Sequence, residues 1–433
     1  MRFEREIPVK YEVDVFVAGG GPAGIAAALG ASRAGASVYL AEREQCFGGM
    51  ATLALVPAFM RFSDGINFLA GGVGKEIFDK LYGNGADYTP IEFPIDTEKL
   101  KVIYDTMISE SNVIFSFENH IISIEKDGDD VTHAVIMGKE QLFAVKAKIF
   151  IDSTGDGTIA TWAGADYEKG DESGKMMPGS LCTLWGNIDW SRAIVELGKD
   201  PDNRRLKDAF ADGVFTVQDP GLPGMWHRED GFGGGNIGHV FGVDGTDEES
   251  ITKGVIDARA RMSEYRTYYR GYLEGYENTE LLASGSVLGI RETRRISCEY
   301  MMRDKDYFDG SDFEDEIGRY NYPIDVHSAT IGEKEKYPDI YAKGYPVGKS
   351  YGISYKSLLP KKTTNILVSG RCIGAERHML GSLRVMPGCF ITGMAAGVSA
   401  AITVKNNATL RTVNVTEIQR ELVRQGAFLP NCK

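Results

Sequence analysis

The stretch Val13 to Glu42, VDVFVAGGGPAGIAAALGASRAGASVYLAE, constrains the fold of this chain more than any other. Val13, Val15 and Val17 belong to a β-branched and aromatic run that reads as a buried strand. Gly19, Gly21 and Gly24 follow in the pattern G-x-G-x-x-G; Ile25 to Ala34 then reads as a small-residue helix and Ser37 to Ala41 as a second strand. Gly19 permits the tight turn, Gly21 lets a pyrophosphate approach the backbone, and Gly24 lets helix and strand pack closely. The N–H groups at the helix start, at the positive end of its dipole, suit phosphates. Glu42 closes the unit, where an acid accepts from ribose hydroxyls. This is a dinucleotide site.

A second match, Gly233, Gly235 and Gly238 in GGGNIG, lies between WHREDGF and HVFGVDGTDEES. Neither flank supplies a strand or a helix, so a glycine-rich loop is expected there.

A length of 433 residues predicts two domains, and 43% hydrophobic with 25% charged residues is ordinary for a soluble globular protein. A formal charge of −13 counts against a general nucleic-acid binder. Cys46, Cys182, Cys298, Cys372, Cys389 and Cys432 are scattered without C-x-x-C or metal-type spacing, which predicts reduced thiols and no metal site. The start MRFEREIPVKYEVD is charged and carries no signal-peptide pattern. No apolar run is expected to approach the roughly 20 residues that span a bilayer. The expectation is a cytoplasmic protein without a membrane partner.

Beyond Glu42, Gly48, Gly49 and Thr52 form a flexible, donor-rich segment that either lines a cofactor or is a plain turn. Cys46 has no nearby partner for a redox disulfide. Ile66 to Leu81 and Asp96 to Glu110 read as helices, Val113 to Phe117 as a strand, and His120 to Val145 as a β-meander. AKIFIDSTGDG then suggests a return to the first sheet at Gly155 and Gly157. Across 166–362 the short α/β rhythm stops and aromatic residues increase, predicting a second domain of antiparallel sheet and helices. There, Asp257 to Leu273 reads as a helix whose aromatics pack, while Arg291, Arg294 and Arg295 either bind an anion or, more commonly, face solvent. Asn365 to Ser369 reads as a short buried strand, and Met386-Pro387-Gly388 opens an apolar, small-residue helix. No second strand–GxGxxG–helix unit exists, so no nicotinamide domain is expected.

Four separated stretches, VAGGGPAGIAAALGASRAGASVYLAER, GGMAT, IDSTGDGTIATWAGA and LVSGRCIGAERHMLGSLRVMPGCFITGMAAG, together resemble one family. The chain resembles FAD-dependent oxidoreductases of the glutathione-reductase-like superfamily, in particular a branch of bacterial flavoenzymes. The likeness covers nearly the whole chain. It implies an α/β fold: a Rossmann-like FAD-binding domain with parallel sheet and β-meander (1–165 and 363–433), plus an α+β substrate or cap domain (166–362). It implies that Gly19, Gly21, Pro22, Ala23 and Gly24 meet the FAD pyrophosphate, with Glu42 on the ribose and Arg43 beside the adenine half. Gly48, Gly49, Met50, Ala51 and Thr52 should run along the pyrophosphate and flavin, and Ile121 should offer backbone to the adenine. Gly155 and Asp156 should close over the nucleotide, while Gly370, Arg371, Met386, Pro387 and Gly388 should lie near the ribityl chain and isoalloxazine. The chain departs from the superfamily's disulfide reductases, which carry paired cysteines. It resembles flavin-dependent tRNA-modifying proteins only in the dinucleotide part.

The expected function is hydride transfer between a small organic substrate (an acid, hydroxyl or ring compound) and the flavin. Histidine best moves a proton near pH 7, so His327 and His378 are the first candidates and His239 the third. Arg384, just before the apolar helix, is placed to hold a substrate carboxylate or to form a structural ion pair. Two alternatives stand beside this: a flavoprotein subunit passing electrons to a partner, and a flavin-binding protein without net redox turnover. A homo-oligomer is also open.

Overall fold

The computed structural model describes residues 4–193, 203–221, 224–332 and 345–432. The opening run forms strand β1 (Val9–Ala18), turns into helix α1 (Pro22–Arg33) and returns as β2 (Val38–Ala41). β1 and β2 pair in parallel from Val15 opposite Val38 to Ala18 opposite Ala41. Val113–Ser116 extends the sheet beyond β2, Leu142–Asp152 flanks β1 on its other side, and Ile366–Val368 lies beyond that, all in parallel. Strands covered on both faces read as continuous apolar runs, and β2 and Ile366–Val368 are buried at every residue. Asp130–Met137 and His120–Asp127 complete the meander, the former pairing antiparallel with the first half of Leu142–Asp152 and the latter pairing antiparallel with Asp130–Met137.

A second core, built from residues between Leu181 and Leu288, stands apart from the first. Thr183–Ile188, Met225–Glu229, Gly231–Gly235 and Glu280–Ser284 form its antiparallel sheet, and helix Glu248–Tyr272 packs within it. Trp185, Tyr268, Tyr269 and Tyr276 are fully buried here as packing residues. Residues between Ile296 and Leu359 join the first core.

The GGGNIG stretch departs from the expected loop, because Gly231–Gly235 is a strand held between Thr183–Ile188 and Met225–Glu229. A Cβ on Gly235 would sit 2.6 Å from Thr183 Oγ1, and one on Gly233 2.7 Å from Ile188 Cδ1. The glycines there make room for neighbouring side chains rather than for phosphate. The helix expected from Ile66 begins only at Val73, because the chain turns at Gly72 (φ +62) and a Cβ on Gly71 would meet Gly426 O at 2.3 Å. Against expectation, one helix, Met386–Lys405, is long and apolar enough to cross a bilayer, yet 94% of its apolar window is buried inside the protein.

That helix lies against α1, backbone to backbone. A Cβ on Gly393 would fall 2.1 Å from Ala23 O, and one on Gly397 2.0 Å from Ala27 O. From the other side, a Cβ on Gly30 would meet Met394 O at 2.8 Å. Helix propensity alone favours Gly397→Ala by about 1 kcal/mol. A methyl forced against a carbonyl costs about 1–3 kcal/mol or more. Gly397→Ala is therefore expected to lower the urea midpoint without changing the m-value; an unchanged or higher midpoint would show that the two helices part easily.

Candidate functional site

A cleft of about 490 Å³ opens at the carboxyl ends of four parallel strands. Gly19, Glu42, Ser153 and Ser369 each follow the last residue of one of them, and all four line the cleft. Of the residues expected from sequence, Gly19, Gly21, Pro22, Ala23, Glu42, Arg43, Gly49, Met50, Ile121, Gly155, Asp156, Gly370, Arg371, Arg384 and Met386 line it. Gly24, Gly48, Ala51, Thr52, Pro387 and Gly388 do not. They shape what does: a Cβ on Gly24 would lie 1.7 Å from Gly19 O, and Gly48 donates its N–H to Gly20 O at 2.9 Å. Thr52 Oγ1 donates to Phe47 O at 2.6 Å, and a Cβ on Gly388 would meet Leu383 O at 2.6 Å. Ala51 and Pro387 are buried.

The cradle suits an anionic dinucleotide. Helix α1 starts at Gly21 with no side-chain cap and no acid in its first turn, so its N–H groups are left for a ligand. A Cβ on Gly21 would meet nothing within 4 Å, which is the open approach a pyrophosphate needs. Glu42 accepts from Gly20 N–H at 2.7 Å and from Glu44 N–H at 2.8 Å. Burial pushes its carboxyl up, and each oxygen retains a lone pair for a hydroxyl. At the other end of the cleft, helix Met386–Lys405 likewise begins without a side-chain cap or a first-turn acid, with Met386 and Cys389 on the cleft wall. Burial pushes the Cys389 thiol up to about 12, so it stands there protonated.

Sequence reasoning missed Asn119, His120, Thr154, Cys389 and the far wall, Ser286, Val287, Leu288 and Ile290. Asn119 was findable, since it closely follows the parallel strand Val113–Ser116 and its Nδ2 donates to Ser116 O at 2.6 Å. The far wall carries no local signal. It arrives because Ser286 donates its N–H to Leu53 O at 2.8 Å and a Cβ on Gly285 would press Ala54 O at 2.8 Å.

The arginines of GIRETRRI are not solvent-facing. Arg291 is 8% and Arg295 4% exposed. Arg291 Nη1 donates to Pro178 O and Ser180 Oγ at 2.7 and 3.0 Å. Arg295 reaches the fully buried Glu292 at 3.4 Å, and Arg294 Nη1 donates to Asp156 O at 3.2 Å. On the cleft wall, Arg371 Nη2 lies 3.3 Å from Asp156 Oδ1.

Among the candidate catalytic residues, Arg384 and His327 are brought together through Asp325. Arg384 Nη2 donates to Asp325 O at 2.9 Å and to its Oδ2 at 3.0 Å. His327 Nε2 lies 3.2 Å from Asp325 Oδ1, and His327 Nδ1 lies 2.9 Å from Nε2 of His239. Burial alone would raise the Asp325 carboxyl, but His327 and Arg384 outweigh it and hold it below the usual carboxylate range. Burial and then Arg291 push the His327 ring down to about 4. Neither His327 nor His378 lines the cleft; on helix Arg377–Leu383 the His378 Nδ1 lies 2.9 Å from Asp304 Oδ2.

Residues 14–422 match the model of the family described as FAD dependent oxidoreductase. No curated protein matched the sequence. Among solved structures, a geranylgeranyl bacteriochlorophyll reductase-like protein from Thermoplasma acidophilum is similar at 13% identity and a TM-score of 0.50, covering 96% of this chain and 87% of that one. GidA of Aquifex aeolicus is similar at 15% identity and a TM-score of 0.50, covering 91% of this chain and 64% of the longer one. These structural similarities show a shared fold, and the family match makes the cofactor FAD. Gly21→Asp is expected to fold with stability changed by no more than about 0.5 kcal/mol, since its side chain enters open space. The same carboxylate would repel the pyrophosphate, so the purified variant should be colourless; a yellow Gly21→Asp protein would place the cofactor elsewhere.

Proposed function

We propose that this chain, which belongs to the FAD dependent oxidoreductase family, transfers a hydride between a small organic carboxylate and the flavin. When bound, the flavin supplies the two-electron chemistry, and the protein supplies orientation, electrostatics and proton transfer. Gly19 to Ala23 would hold the pyrophosphate, Glu42 the ribose, and the start of helix Met386–Lys405 the isoalloxazine end.

Arg384 carries the reading. It lines the cleft two residues before that helix, and its Nη2 is held by Asp325. Among the described residues no partner takes Nη1. A guanidinium fixed on one side and open on the other suits a substrate carboxylate. The adjacent helix start adds positive dipole to the same place. His327, joined to Arg384 through Asp325, is the group that would give up or regain a proton at Nε2. It comes before His378 because its partner Asp325 also holds the cleft arginine. An electron-accepting partner remains compatible with this site.

Holoenzyme mixed without air with small carboxylates should show bleaching of the flavin absorbance, while the matching amides leave it unchanged. Arg384→Met should raise KM roughly 10- to 100-fold, the worth of about 1.5–3 kcal/mol for a charged hydrogen bond, with FAD still bound. Arg384→Lys should recover part of that loss. His327→Gln should lower kcat by about 10²–10⁴ with little change in KM. Equal bleaching by amides, or indifference to Arg384, would overturn the carboxylate assignment.

A further inference from the structure

Asp156 lines the cleft, but its carboxylate is held by a residue that does not. Thr293, wholly buried, donates its hydroxyl to Asp156 Oδ1 at 2.8 Å. Arg371 brings Nη2 to the same oxygen at 3.3 Å. We propose that Thr293 is a positioning residue for FAD: it aims Asp156 so that the second carboxylate oxygen accepts from a hydroxyl of the cofactor. The inference rests on FAD in the cleft and is independent of the substrate reading of Arg384.

The backbone of this turn is set from below. Asp152 accepts the Thr154 hydroxyl at 2.7 Å, and Thr154 Oγ1 accepts the N–H groups of Asp156 and Thr158, each at 3.2 Å. These contacts fix the chain and leave the Asp156 side chain to be directed by something else. Segment 290–294 supplies that direction. Arg294 Nη1 donates to Asp156 O at 3.2 Å while Thr293 takes the carboxylate. Arg371 closes the ring, since its Nη1 donates to Ile290 O at 2.7 Å while Nη2 turns to Asp156. Gly155 makes that reach possible: at φ +79, a Cβ there would sit 2.5 Å from Arg371 Nη2.

Both donors meet Oδ1, and among the described residues nothing donates to Oδ2. A bare carboxylate in a cleft built for a pyrophosphate would repel it, and pairing with Arg371 offsets that charge. What Asp156 then offers the cleft is a hydrogen-bond acceptor, and FAD brings hydroxyls on its ribityl and ribose parts.

The two branches of the Thr293 side chain do different work. Its methyl packs: a Cβ on Gly245, a cleft residue, would meet Thr293 Cγ2 at 2.8 Å. Its hydroxyl orients. Thr293→Ser removes the methyl and keeps the hydroxyl, whereas Thr293→Ala removes both. Those two variants differ by the hydroxyl alone.

The test is titration of FAD into each full-length chain freed of its cofactor, with binding read from flavin fluorescence and folding from circular dichroism. Thr293→Ser should bind within about two-fold of the parent and Thr293→Ala roughly ten-fold more weakly, the order of one lost hydrogen bond to a charged group. Asp156→Ala should bind no more tightly than Thr293→Ala, and adding Thr293→Ala to it should cost nothing further. Equal binding by the two Thr293 variants would overturn the inference. Tighter binding by Asp156→Ala, or a Thr293 hydroxyl effect that persists in the Asp156→Ala background, would do the same by showing that Thr293 does not act through the carboxylate. Should Thr293→Ala fail to fold, Thr293→Val, which keeps the shape and lacks the hydroxyl, takes its place in the same comparisons. If the Asp156 route holds while no carboxylate bleaches the flavin, the positioning role stands and the substrate reading falls.

Discussion

Two helices in backbone contact fix the rest of this structure. Gly393 and Gly397 press carbonyls of α1 at separations no side chain could share. Contact at that range locks both the spacing and the rotation of the pair, because a helix face without side chains cannot slide without meeting the next residue's Cβ. Both helices begin at the cleft, with Pro22 and Ala23 at one start and Met386 and Cys389 at the other. Neither start has a side-chain cap or an acid in its first turn. The fold thus aims two unneutralised dipole ends into one space, a strongly directed preference for an anionic ligand.

The sheet completes this arrangement from below. Parallel pairing brings the ends of four strands to one edge, so residues far apart in sequence arrive together: Gly19, Glu42, Ser153 and Ser369. Ser153 Oγ and Ser369 Oγ lie 2.7 Å apart across that edge. Asp152, wholly buried, accepts the N–H of Ala160 at 3.0 Å and that of Thr154 at 3.1 Å, which fixes the Gly155–Asp156 turn over the cleft. Glu42 and Asp152 on this edge accept from backbone N–H groups, and Asp156 is paired with Arg371.

How much of this was legible follows from the range of each signal. The βαβ unit, the meander and the apolar strands were readable because period-2 apolar runs and glycine spacing are local properties. Most of the expected cofactor positions line the cleft for the same reason: they follow strand ends. The strand at Gly231–Gly235 was not readable, because its glycines answer to Thr183 and Ile188, which no local pattern announces. Arg291 and Arg295 looked like surface charges, yet their partners Pro178, Ser180 and Glu292 close around them only once the cores dock. His239 ranked third from sequence, and its Nε2 meets His327 Nδ1 at 2.9 Å across a separation of 88 residues, a contact no local pattern announces.

Asp219 and His239 lie within the span of the second core, whereas Asp325 and His327 sit beside Ile324 and Val326 of the first. The His239–His327 contact therefore exists only where the two cores touch. The same junction supplies the far wall of the cleft through Ser286 to Ile290. Docking of the cores brings His239 Nε2 to 2.9 Å from His327 Nδ1. The elements of the first core carry Gly19 to Ala23 and Glu42, while the far wall of the cleft and the His239–His327 contact come from the junction.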